Sequence, residues 1–146
     1  MTVDTEVWSK VLSQLEGINR TGLTMPESEL LKYVEREWRT SMQLVERFNK
    51  DMGERRWFRA ISAFLQLLQR ANAAYSYLYQ PTTVASLNNE RVANIVNDVL
   101  GVLTDTVTRC VEEIKSSSKD MGVESVTLAT SSFPPTLSVS VVVKNA

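Results

Sequence analysis

No histidine occurs among the 146 residues, and there is one cysteine, Cys110. The first absence removes histidine-based catalytic triads and histidine metal ligands. With a single thiol beside it, a structural zinc site has no ligand set either. A lone cysteine forms no internal disulfide, and Cys110 falls on an apolar helical stripe, which reads as a buried, inert thiol. Five glycines and four prolines are few, so most of the chain lacks the composition of a linker. No apolar run approaches the ~18 residues that span a membrane. The opening MTVDTEVWSK carries acidic residues and no apolar core, so it does not read as a secretory signal. The expectation is a protein made inside a cell, with no membrane partner. A formal net charge of -1 gives no long-range pull toward polyanions. Any anion site must therefore be a local cluster.

What is present is ordinary for a globular domain: 43% hydrophobic and 23% charged residues, with enough chain for one real core. Val7, Trp8, Val11, Leu12, Leu15 and Ile18 recur at helical spacing, and Gly17, Asn19 and Gly22 end that pattern. A second helix starts at Thr24, whose spacing to Glu27 is that of a capping box, with Pro26 in the first turn. Its apolar face is Leu30, Leu31, Val34, Trp38, Met42 and Val45, and NKDMG is expected to break it. The third helix runs from about Glu54 to Ala74, with Trp57, Phe58, Ile61, Phe64, Leu65 and Leu68 inward. The fourth runs from about Leu87 to Lys115 and carries Val92, Ile95, Val96, Val99, Leu103, Val107, Cys110, Val111 and Ile114.

The last 24 residues change period. VESVTLAT and TLSVSVVVK alternate apolar with polar, the pattern of strands, and SSFPP between them reads as a turn. The predicted fold is mainly α: a four-helix bundle over 1–122 with a short C-terminal β or extended tail over 123–146. Four helices already enclose a core, and two short strands alone are marginal in water. The tail, with Val139, Val141 and Val143 on one face, is thus expected to meet neighbouring copies rather than complete the bundle core, with a hairpin packed on its own bundle as a nearly equal alternative.

Catalytic chemistry is not legible. Glu112–Glu113 and Glu35–Glu37 are carboxylate pairs, but neighbours one or two apart on a helix do not face each other. No glycine-rich phosphate loop and no nucleophile elbow occur. A non-enzymatic protein without a cofactor is the expectation.

Two basic groups remain. GERRWFRA sets Arg55, Arg56 and Arg59 beside Trp57 and Phe58, a composition that suits phosphates and bases. Because both aromatics also fit the stripe with Ile61 and Phe64, core aromatics flanked by solvated arginines are favoured. The second group is the polar segment between the third and fourth helices. Arg70 and Arg91 bracket it, and antiparallel packing of these helices is expected to bring them to one end of the bundle. Asn72, Asn88, Asn89, Thr82 and Thr83 lie nearby and can hydrogen-bond phosphate or ribose. On the pattern alone, an ordinary polar loop with surface arginines is the favoured reading.

WSKVLSQLEGIN, VEREW followed by ERF, QRANAAY with QPTT, and SLNNERVANIVNDVL occur in an order and spacing that resembles the coat proteins of rod-shaped plant viruses, the tobamovirus and hordeivirus kind. The resemblance spans roughly residues 8 to 115. It implies a four-helix subunit that polymerises into a helical rod around single-stranded RNA, assembled in the host cytoplasm and carried in the virion. It also implies that Arg70 and Arg91 meet RNA phosphates. The family often has a second arginine near each position, where this chain has Ala71, Asn72 and Val92. A small helical subunit of a ribonucleoprotein, such as a CRISPR effector complex, and a protein-binding helical module are the other readings of the same pattern.

Overall fold

The computed structural model describes residues 3–132 and 135–144. In chain order the elements are α1 (Glu6–Gly17), α2 (Met25–Gly53), α3 (Trp57–Leu78), the single turn α4 (Pro81–Ala85), α5 (Glu90–Ser116), the single turn α6 (Ser118–Met121), and the strands β1 (Val123–Ser132) and β2 (Pro135–Val143). The four long helices pack in a ring, α1 on α2, α2 on α3, α3 on α5 and α5 back on α1. Short connections alternate their directions.

Local chemistry explains where the helices begin. Thr24 Oγ1 accepts from the Glu27 N–H and the Glu27 carboxylate accepts from the Thr24 N–H, so the expected capping box is formed, with proline in the first turn. Asn89 caps α5, its side-chain oxygen accepting from the N–H groups of Arg91 and Val92. The expected apolar residues of α5 are all buried.

The centre of the core is a stack of Trp8 on Trp38, ring centroids 3.9 Å apart. Each indole N–H is used: Trp8 donates to Thr106 Oγ1 and Trp38 donates to the Trp8 carbonyl, both at 2.9 Å. These bonds join α1, α2 and α5 inside a volume where an unpaired donor is costly. Phe64, Leu68, Val96 and Leu103 are buried as their spacing predicts.

The inward face of α3 is rotated from the predicted one: Phe64 and Leu68 are inward as expected, Trp57 and Ile61 are only half-buried, and Phe58 and Leu65 face out. Ala60, Ala63, Phe64, Leu67, Leu68, Ala71, Ala74, Tyr75 and Leu78 are buried, whereas Phe58 is 86% and Leu65 42% exposed. This helix is apolar on most of its circumference, so bulk alone picks the wrong stripe. The alanines let α3 approach its neighbours closely, and that face wins on packing. Nor does NKDMG break α2, which runs on to Gly53 with Phe48 buried. Asn49 is put to use there: its side chain accepts from the Val3 N–H and donates to the Val3 carbonyl, both at 2.8 Å. The chain reverses at Arg55, which sits at φ 60, a left-handed conformation uncommon outside glycine.

The two strands form an antiparallel hairpin, with Val126 opposite Val141 and Leu128 opposite Val139. The expected turn at SSFPP includes residues 133–134, which lie outside the described residues. β1 lies on α5 and β2 on α3, so the hairpin covers the groove between those helices. Val123, Val126 and Leu137 are buried in the core and Val139 and Val141 are half-buried, while Val143 stays exposed. The tail therefore helps close the core of its own subunit, the alternative reading of its pattern and not the contact with neighbouring copies. The α3–α5 groove is apolar on both walls, and the hairpin carries the nearest matching face.

Candidate nucleic-acid interface

The connection from α3 to α5 is shorter in space than in sequence. α3 continues to Leu78, and α4 takes up five of the residues that follow. The first turn of α5 is then tied to the first turn of α2. The buried Glu27 carboxylate, besides capping its own helix, accepts from the N–H groups of Asn88 at 3.2 Å and Asn89 at 2.7 Å. The backbone N–H of Thr24 above all, then that of Asn89, holds the Glu27 carboxyl below its ordinary value, against the opposing effect of burial. This anchor orients Asn88 and Arg91 outward at the end of the bundle. Both are exposed, and Thr82 is exposed on α4 nearby. Arg91 borders an open cleft with Asn19, Asn94 and Asp98, and among the described residues no ion pair engages it.

Arg70 and Asn72 do not join this group. α3 runs antiparallel to α5, and the Tyr75 hydroxyl bonds that of Thr104. At 1.5 Å per residue, Arg70 is thus level with the C-terminal part of α5, roughly 25 Å from Arg91 along the bundle. Its guanidinium pairs with Glu37 Oε2 at 2.7 Å across the α2–α3 contact. Asn72 is committed to the hairpin: its side chain donates to the Leu137 carbonyl and accepts from the Leu137 N–H, both at 2.8 Å. Asn89 spends its side-chain oxygen on the cap. Of the five residues predicted to contact nucleic acid, Arg91 and Asn88 keep free side chains at one end, Asn89 shapes that end, and Arg70 and Asn72 hold the fold together elsewhere.

At the other end, the α2–α3 turn brings together the GERRWFRA residues and the last turns of α2. An open cleft of about 590 Å³ is lined by Arg47, Lys50, Arg56 and Arg59 with Glu46, Asp51 and the exposed Phe58. Arg56 pairs with Glu54 at 3.2 Å, and Arg55 pairs with Asp120 at 2.9 Å while lying over the Trp57 ring. Phe58 points to solvent because the alanine face of α3 is inward; no periodicity in the sequence separates these two outcomes.

Burial pushes the Cys110 thiol up to about 12 and raises Tyr33 and Tyr75 as well. None of these lines an acid–base pair. Among the described residues no group of three or more carboxylate or thiol side chains is placed to hold a metal ion, and no helix is long and apolar enough to cross a membrane. No family model matches the chain, and no curated protein or solved structure matches it significantly.

Proposed function

We propose that this chain is a non-enzymatic structural subunit that assembles with copies of itself into a helical rod around single-stranded RNA, as do the coat proteins it resembles. Its place is then the virion, put together in the host cytoplasm. The observation that carries the reading is Arg91: exposed, without a carboxylate partner among the described residues, and aimed outward beside Asn88 by the Glu27 anchor at one end of a four-helix subunit. The four motifs behind the resemblance fall on α1, on α2, on the end of α3 with α4, and on the start of α5. Arg91 meets a phosphate, and Asn88 hydrogen-bonds phosphate or ribose. One such contact is weak. Repetition of it along a polyanion supplies affinity that a net charge of -1 does not. Arg70, paired with Glu37, serves the fold in this reading.

Negative-stain imaging of the purified protein, with and without RNA, tests it. The expected result is rods of variable length whose RNA is shielded from nuclease. A monomer or dimer indifferent to RNA refutes the proposal. A particle of fixed stoichiometry with other chains points instead to a ribonucleoprotein subunit.

A further inference from the structure

Two opposite faces of the subunit complement each other. On the α2–α3 side, Phe58 is 86% exposed and Leu65 42%, with half-buried Ile61 on the same ridge. A phenylalanine held in water beside a cleft is an unsatisfied apolar anchor. Around it, with Arg56 held by Glu54, Arg47, Lys50 and Arg59 outnumber Glu46 and Asp51. Across the ring of helices, the α1–α5 side holds an open groove of about 650 Å³ where Asp105 pairs with Arg109 at 3.6 Å and Asp4 and Asp98 outnumber Lys10. Gly101 lies in that groove, exposed and in the middle of α5. A Cβ added there meets nothing within 4 Å among the described residues. Glycine is the poorest helix former after proline, and among the described residues no packing contact accounts for it. Close approach of a second backbone is one use of a glycine at such a position.

We propose that the Phe58 ridge of one copy docks into the α1–α5 groove of the next, over Gly101, with Arg47, Lys50 and Arg59 facing the groove's carboxylates. This rests on the self-assembly proposed above and names the surfaces that make it. The apolar knob supplies affinity and the charges set orientation. Because the two patches differ and lie on opposite sides, the contact is heterologous and propagates from copy to copy instead of closing as a two-fold dimer. The same cations beside Phe58 suit a nucleic-acid strand. Glu46 and Asp51 in that cleft oppose a phosphate backbone, and a strand leaves Gly101 unexplained.

Two variants each block one face. Phe58→Asp removes the knob and leaves the groove; Gly101→Gln fills the groove and leaves the knob. Both sites are exposed, so both variants fold, and Gly101→Gln melts higher than the parent. Analytical ultracentrifugation with RNA present is expected to show each variant alone raising the concentration needed for assembly at least about tenfold. An equimolar mixture is expected to form a one-to-one heterodimer and nothing larger, since one intact knob meets one intact groove. Either variant assembling like the parent, or a mixture that stays monomeric, overturns the docking. Phe58→Asp rods that have lost their RNA reassign the cleft to nucleic acid. If the parent forms rods and the variants do too, only this inference fails; a parent that never self-associates takes the proposed function down with it.

Discussion

Asn72→Ala separates two roles for one side chain. Asn72 makes two hydrogen bonds to the backbone of Leu137, both at 2.8 Å, and they pin β2 to α3. Each is worth about 1 kcal/mol net, and a partner left unsatisfied adds about 1–3 kcal/mol. Leu137 is 6% exposed, so water reaches the freed backbone groups only if the strand lifts. The loss is thus about 2–4 kcal/mol, or roughly 6–12 °C in Tm for a domain of this size. The Leu137 amide should exchange with deuterium much faster, while exchange in α1 and α2 follows the global stability alone. Asn72→Asp keeps the acceptor for the Leu137 N–H but turns the donor toward the Leu137 carbonyl into a repulsion, so it should not rescue. RNA retention by assembled particles should be unchanged once temperature is set well below melting. A variant that melts within about 0.5 kcal/mol of the parent, and sheds RNA, would refute the assignment of Asn72 to the fold.

Phe64→Ala, at a fully buried site packed near Phe48, should cost about 3–5 kcal/mol in denaturant unfolding; a loss below about 1 kcal/mol contradicts the core. Arg91→Ala should lower the RNA content of particles with Tm unchanged. Arg70→Ala removes a half-exposed ion pair worth about 0–1 kcal/mol and should leave RNA content alone; the reverse pattern returns the phosphate contact to Arg70. Glu27 has its carboxyl lowered on folding, so its ionised form stabilises the fold fully above the ordinary glutamate value of ~4.3, and that contribution is lost as pH falls from there through the lower folded-state value. The stability gap between the parent and Glu27→Gln should therefore shrink from pH 7 to pH 3, and a constant gap rules out the linkage. Cys110, fully buried with its thiol near 12, should react with a thiol reagent at pH 8 only as fast as the protein unfolds.

The amphipathic periods, the Thr24–Glu27 box and the alternating tail were enough to state four helices and two strands, because each is a local pattern that the backbone reads within a few residues. The inward positions of α5 were legible for the same reason: its apolar residues occupy one narrow stripe. The face of α3 was legible only at Phe64 and Leu68, since alanines and bulky apolar residues share its circumference and only the fit against α2 and α5 selects between them. Burial of the hairpin likewise depends on a groove made by two helices far apart in sequence. The candidate site shows the same division. That Arg91 follows a polar connection is a matter of sequence. That Arg70 lies roughly 25 Å from it along the bundle, paired with Glu37, follows from the length of α3 and its antiparallel register on α5. Asn72 could be seen as a hydrogen-bonding side chain near the loop, but its partner is 65 residues away at Leu137. Composition and period specify which residues want burial or a partner; which partner each one meets is decided only when the helices pack.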